Sequence, residues 1–229
     1  MTLTDEKVYN CTVLTRKDIE SWGEPKKVSA FYLIAKRIFD IVFSLFALLL
    51  FSPIILVTSI CIFFSDFGSP IYMQDRVGQN GRHIKIFKFR SMKKNADDLA
   101  KHLTLEQLEE YHREFKLEND PRVTSIGRFI RRTSIDELPQ FLNILFGQLS
   151  LVGPRPIVEK ELQKYGDTLD IFLSAKPGLT GYWQAYARND ALYENCARQK
   201  MELTYIFKRS VGFDLKIIFK TFGRLFKGG

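Results

Sequence analysis

Cysteine is scarce in this chain, and its placement says more than its number. Cys11, Cys61 and Cys196 are the only three in 229 residues. They stand far apart, without the paired spacing of a zinc site or a disulfide framework. A disulfide scaffold is thereby excluded, and a reducing, cytosol-facing setting is the simple inference. No internal repeat or low-complexity tract is visible. No secretory leader is expected either, because residues 1–30 are too polar and the first apolar run starts too late.

What the chain does have is positive charge and one long apolar run. With 34 basic against 26 acidic residues and a net charge of +8, its partner is expected to be anionic: phosphate groups, nucleic acid or a lipid surface. Hydrophobic residues make up an ordinary 45% but are unevenly spread. From Ile38 to Phe64 the only charge is Asp40. As a helix this run would be about 40 Å long, against a bilayer core of about 30 Å, so it reads as a membrane segment. Ser52-Pro53 sits near its middle. One reading is a spanning helix with a tolerated proline. The other is a bent, re-entrant helix whose arms are each too short to cross. Lys26, Lys27, Lys36 and Arg37 before the run and a basic region after it favour two cytoplasmic ends, though long domains obey that rule weakly.

The chemistry concentrates between Thr133 and Pro156. Asp136 and Glu137 follow the pair Arg131 and Arg132, and the apolar run Phe141 to Phe146 comes next. Beyond it lies the rigid turn Gly153-Pro154-Arg155-Pro156. Carboxylates near cations stay ionised and can attack or hold a metal, and arginines beside them can receive phosphates. A purely structural account competes. Ser134 to Glu137 fits a capping box, although Pro139 would then fall inside the first turns and remove a donor. With Pro139 at the first helical position, both acids stand ahead of the helix, facing solvent or a ligand.

Elsewhere, Ile71 to Val77 and Ile84 to Arg90 read as strands joined by the hairpin turn Gly78-Gln79-Asn80-Gly81. Asp97 to Leu117 reads as one charged helix, broken by Asn119-Asp120-Pro121. Val158 to Tyr165 reads as a short helix, Pro177 to Gly181 as a tight turn, and Tyr182 to Tyr186 as a strand. Arg188-Asn189-Asp190 then opens a helix from Ala191 to Lys208. In the C-terminal segment Lys216, Lys220, Arg224 and Lys227 share one helical face. That helix can lie in a lipid headgroup layer or pack on a core.

From about Lys36 onward the chain resembles the bacterial sugar transferases, the monotopic phosphoglycosyl transferases. The resemblance is carried by Lys36-Arg37-Ile38-Phe39-Asp40, Ser52-Pro53, Gln74 to Gly78, Lys88 to Met92, Asp120 to Thr124, Ile126 to Gln140, Ser150 to Pro156 and Lys176 to Gly181. It implies transfer of a sugar 1-phosphate from a UDP-sugar to a polyprenyl (undecaprenyl) phosphate with release of UMP. It also implies Asp136 as nucleophile, Glu137 as ligand to Mg²⁺, and Arg155 as phosphate clamp. Lys88, Arg90, Arg131 and Arg132 would be further phosphate or headgroup contacts, and Gln184, Arg188 and Asn189 sugar-side candidates. Ser52-Pro53 would be the break that makes the helix re-entrant.

The implied fold is α+β. A polar arm (residues 1–30) and a re-entrant membrane helix (31–66) would precede a mainly helical, membrane-associated catalytic domain (67–229) with a small β-hairpin and amphipathic interfacial helices. The implied setting is the cytoplasmic face of a bacterial inner membrane, with a lipid bilayer and no nucleic acid among the partners and self-association open. Ala187 stands where relatives usually carry glycine before Arg188-Asn189, and Tyr182-Trp183-Gln184 leans toward glucose or galactose over N-acetylated sugars. A membrane-tethered basic adaptor and a phosphohydrolase using Asp136 are the rival readings.

Overall fold

A computed structural model describes residues 13–25, 27–114, 117, 119–187, 191, 193 and 195–225. Its elements in chain order are α1 (Ala30–Asp66), β1 (Ile71–Val77), β2 (His83–Phe89), α2 (Leu99–His102), α3 (Leu105–Glu114), α4 (Ser125–Arg132), α5 (Gln140–Leu145), β3 (Ser150–Val152), α6 (Leu169–Leu173), β4 (Gly178–Thr180), α7 (Tyr182–Ala187), α8 (Ala197–Lys208) and α9 (Val211–Leu225). Short 3-10 segments precede α1, α5 and α6. The architecture is thus mostly helical with two two-stranded sheets, β1–β2 and β3–β4.

The chain divides into two compact units, one of residues 1–44, 75–85 and 143–229, the other of residues 45–74 and 86–142. The first is built on the parallel pair β3–β4, with Ser150 opposite Gly178 and Val152 opposite Thr180. Ile144, Leu149, Ile157, Leu203, Ile206 and Ile217 are buried in it. The start of α1 is tied to it by polar contacts. Asp40 accepts hydrogen bonds from the Leu151 amide at 2.9 Å and Ser150 Oγ at 3.1 Å, and Arg37 donates to the carbonyls of Ile144 and Leu145 at 2.6 and 2.8 Å. The Arg37 bonds satisfy carbonyls that the end of α5 leaves without helical partners.

Part of the polar N-terminal arm belongs to the same unit. The Leu14 amide donates to Lys164 O at 3.1 Å and its side chain is fully buried. Arg16 holds Asp167 through its amide and Asp170 through its guanidinium, both at 2.7 Å. Gly166, at φ +47°, makes this possible, because a Cβ there would lie 2.8 Å from Leu14 O.

The second unit packs Ile62, Phe89 and Ile130 against Ile55, Ile71, Ile126 and Ile135. α1 is the one helix among the described residues long and apolar enough to cross a membrane. Unlike the core helix of a soluble protein it is largely bare, with Phe31 and Leu49 each 77% exposed. It runs through Pro53 as a single helix, and Ser52 Oγ returns a bond to Leu49 O at 2.8 Å.

Several sequence expectations are corrected. Tyr182 to Tyr186 is helical, not extended. Its aromatic content suggests a strand, but the helix stacks Tyr182 on Tyr186 at 4.8 Å, an i, i+4 contact that no strand allows. The single helix expected from Asp97 to Leu117 is two, α2 and α3. Thr104 and Gln107 exchange bonds at 3.2 and 3.3 Å, a capping box that starts α3 afresh. The helix ending at Lys208 begins at Ala197, not Ala191, because Cys196 takes a left-handed φ of 56° just before it. The expected helix from Val158 is a 3-10 segment, Glu159–Thr168. Cys196 is also disulfide-bonded, whereas Cys61 is a free, exposed thiol. The expectation of unpaired cysteines fails there, because spacing along a chain reports only local frameworks.

α9 has three faces. Asp214, Ile217 and Ile218 are buried, Val211, Leu215, Phe219 and Phe222 form an exposed apolar stripe, and Lys216 and Lys220 lie exposed beside it. Core packing and an exposed apolar stripe therefore coexist on one helix. Lys227 lies outside the described residues.

Candidate functional site

In the second unit, α4 begins with Thr124, whose side chain accepts the Gly127 amide at 2.9 Å. It ends with Arg131 and Arg132, cations placed where the helix dipole favours them. Ser134 then stops the helix with a left-handed φ of 56° and makes no side-chain cap bond, so the capping-box reading does not hold. That conformation costs a non-glycine residue on the order of 1–3 kcal/mol. It turns the chain into a 3-10 turn, Ile135–Glu137, and α5 starts only at Gln140. Asp136 and Glu137 therefore stand ahead of the helix, half-buried. Ile135, packed on the Ile62–Phe89–Ile130 cluster, anchors the turn between them and α4.

Arg131 faces this turn. Its Nε donates to Ser91 Oγ at 2.7 Å. Burial of the guanidinium lowers its proton affinity, and the charge of Asp136 opposes that loss. Lys88 and Arg90 are half-buried, with Arg90 folded over Gly68, and Arg132 is exposed. Arg122 is not available to a ligand, because it is buried and bidentate to Asp120 at 2.6 and 2.8 Å.

In the first unit, Gly153 and Gly178 approach so closely that a Cβ on Gly178 would strike the Gly153 backbone. Their amides bracket the next turn: Gly153 N–H donates to Thr180 O at 2.9 Å and Gly178 N–H to Pro154 O at 2.8 Å. Arg155 is half-exposed, its guanidinium 5.8 Å from the Trp183 ring. Gln184 donates to Leu179 O at 3.1 Å, while its buried Oε1 has no hydrogen-bond partner among the described residues. Arg188 and Asn189 lie outside the described residues.

Sequence reasoning missed what stands beside Arg155. Arg198 lies between the rings of Trp183 and Tyr193, 4.4 and 4.2 Å from them, and 3.4 Å from Glu161. Glu161 also receives the Tyr193 hydroxyl at 2.8 Å and pairs with Arg76 at 3.5 Å. Burial would raise the Glu161 carboxyl, but Arg198 and Arg76 more than offset it and hold it below its ordinary range. Burial, with Arg155 nearby, pushes Arg76 down to about 10. Glu202, fully buried, completes the group. The available signal was the charged i, i+4 pair Arg198 and Glu202 on one helix face.

A profile described as bacterial sugar transferase matches residues 31–228. The chain belongs to the bacterial sugar transferase family. Among its relatives, the undecaprenyl-phosphate galactose phosphotransferase of Salmonella typhimurium is 44% identical over 189 residues, 81% of this chain and 39% of the relative. The exopolysaccharide production protein ExoY of Rhizobium meliloti is 44% identical over 191 residues, 82% of this chain and 84% of the relative. The UDP-glucose:undecaprenyl-phosphate glucose-1-phosphate transferase of Escherichia coli is 39% identical over 201 residues, 85% of this chain and 40% of the relative. This sugar transferase thus spans about two fifths of the longer relatives it matches and most of the length of ExoY.

Proposed function

We propose that this bacterial sugar transferase moves a hexose 1-phosphate from a UDP-sugar to undecaprenyl phosphate and releases UMP, as a membrane step of polysaccharide synthesis. The observation that carries the reading is the pair Asp136 and Glu137, half-buried on a turn held ahead of α5, with Arg131 facing it. An Asp136 carboxylate oxygen attacks the phosphorus that bears the sugar. The bond from that phosphorus to the UMP oxygen breaks, and UMP leaves with the electron pair. An oxygen of the lipid phosphate then attacks the same phosphorus and displaces Asp136, giving the sugar-linked lipid diphosphate. An aspartyl intermediate divides one hard displacement into two easier ones. Arg131 and Arg155 are the phosphate-binding candidates, with Lys88, Arg90 and Arg132 as further cations. Gln184, Arg188 and Asn189 are sugar-side candidates. The names of the relatives favour galactose or glucose.

No group of three or more His, Cys, Asp or Glu side chains placed to hold a metal occurs among the described residues. Mg²⁺ keeps most of its waters and takes one or two carboxylates plus substrate phosphates, a donor set that the adjacent pair Asp136 and Glu137 can supply. Glu137, with Asp136 adjacent, would hold it. The ion would supply charge neutralisation on the diphosphate.

The bare surface of α1 and the apolar and basic stripes of α9 support attachment to a bilayer, with α1 re-entrant at Ser52-Pro53 and the catalytic residues on the cytoplasmic face of the inner membrane. Protease access to an N-terminal epitope in spheroplasts decides the topology, and cleavage from outside would replace re-entry with a spanning helix. The activity is tested by UMP release from UDP-galactose and UDP-glucose in vesicles containing undecaprenyl phosphate. Release of UMP that needs the lipid and Mg²⁺ is expected. Release of UMP together with free sugar 1-phosphate, without any need for the lipid, would point to a hydrolase, and binding without turnover to an adaptor.

A further inference from the structure

Pro154, Arg155 and Pro156 form a turn with a single backbone donor, because neither proline carries an N–H. That donor, the Arg155 amide, goes to Glu202 Oε2 at 3.1 Å. Glu202 is 0% exposed, and its Oε1 accepts no hydrogen bond among the described residues. Burying a carboxylate with so few replacements for water is costly. A neutral carbonyl, such as the Thr180 O that takes the Gly153 amide at 2.9 Å, would serve the fold without that cost. The charge at Glu202 therefore calls for a reason beyond closing a turn.

Its surroundings supply one. Arg155 reaches it from the turn, Glu161 and Tyr165 from the 3-10 segment, and Arg198 from one turn earlier on α8, with Tyr193 behind Arg198 and Glu161. Arg76 lies beyond, paired with Glu161. Arg155 is thus gripped at its main chain by a buried carboxylate, while its guanidinium leans on the Trp183 ring. That ring is itself fixed by the indole N–H, which donates to Ala191 O at 3.1 Å. Both ends of the residue are held from inside the first unit.

We propose that Glu202 is a positioning residue for Arg155: by taking the only N–H of the Pro-Arg-Pro turn on a buried carboxylate, it sets the direction in which the guanidinium meets a nucleoside diphosphate. The inference rests on the reading of Arg155 as a phosphate-binding residue. Burial pushes the Glu202 carboxyl up to about 7, against the pull of Arg198 and Arg155. The grip therefore strengthens as pH rises through neutrality, since a hydrogen bond to an ionised acceptor is roughly twice as strong as one to a neutral acceptor.

The test is UDP binding by titration calorimetry to the full-length chain in detergent, because UDP is shared whichever sugar is used. Glu202→Gln keeps the size and an acceptor but cannot ionise. The ratio of its Kd to that of the wild type is expected to rise from about 1 at pH 6 to about fivefold at pH 8, and taking a ratio cancels the titration of UDP itself. A ratio that is flat across this range overturns the proposal. Glu202→Leu should weaken binding on the order of tenfold and weaken it no further in an Arg155→Ala background. Additive losses would mean that Glu202 acts elsewhere. If the leucine variant does not fold, the pH ratio decides alone. Arg155→Ala by itself separates the two readings. An unchanged Kd there removes Arg155 as a phosphate contact, whereas a weakened Kd with a flat Glu202 ratio removes only the positioning role.

Discussion

Asp136 and Arg155 are both candidates to meet the same kind of phosphorus centre, yet the two units present them by opposite means. In the second unit, Asp136 sits half-buried on a short 3-10 turn, aimed by a left-handed serine and anchored by one isoleucine. In the first, Arg155 projects from a turn braced by two prolines, a close glycine pair and a fully buried carboxylate. A nucleophile forms and breaks a bond, so it needs room to approach the phosphorus and withdraw from it, while water near the intermediate would divert the transfer to hydrolysis. A phosphate receiver only has to keep its direction, so rigidity serves it. The difference teaches that a charged side chain can be presented by two routes, one through a short turn anchored by a single isoleucine and one through a proline-braced turn tied to a buried carboxylate.

The strongest way to break this comparison is Asp136→Asn, which keeps the shape of the turn and removes the attacking charge. Lipid-linked sugar formation should fall by about 10³-fold or more, with the thermal transition unchanged. Turnover near the wild-type rate would show that the Asp136 carboxylate is not the reacting group. Next in size is Arg155→Lys, which keeps the charge and gives up the planar fork. The Michaelis constant for the UDP-sugar should rise about tenfold while folding is unaffected, and wild-type kinetics would leave the braced turn with a structural role alone.

The smallest effect sharpens the contrast through stability. The Glu202 carboxyl is raised from 4.5 to about 7 in the folded chain, so the fold binds that proton more tightly than the unfolded chain does. Its contribution to stability is full below about pH 4.5 and is lost as pH rises through 7. At pH 8 the ionised group costs on the order of 3 kcal/mol. Glu202→Gln should therefore melt several degrees above the wild type at pH 8 and level with it near pH 4.5. Equal melting at both pH values would show that no buried carboxylate is being ionised there.

How much of this was readable in the residues depended on the range of the interaction. The helix over the apolar Ile38 to Phe64 run, the strand at Ile71 to Val77 and the Asn80 turn rest on local composition and turn chemistry, and those elements are present. Asp136 and Glu137 were legible as a pair, and Pro139 argued that they precede the helix, which they do. The Tyr182 to Tyr186 segment was misread because aromatic content argues for a strand, while stacking four residues apart settles the helix. Glu202 was invisible as a partner of Arg155 because 47 residues separate them. Nothing local marks a carboxylate that will be buried against a distant amide. The left-handed Ser134 escaped for a related reason: serine carries no strong preference for that conformation, and the residue after it, Ile135, packs on a cluster distant in sequence.

The docking of the N-terminal arm bears on the order in which the molecule is made. Arg16 closes on Asp167 across 151 residues of chain. At about 5–20 residues per second, a ribosome needs roughly 8–30 s to supply that partner. α1 follows the arm directly and leaves the ribosome long before Asp167 exists, so its apolar surface must find shelter while the arm is still unpaired. The earliest of these residues to be synthesised are therefore among the last to reach their native contacts, and a chain stalled before residue 167 would expose the arm to proteases even with its long helix already in place.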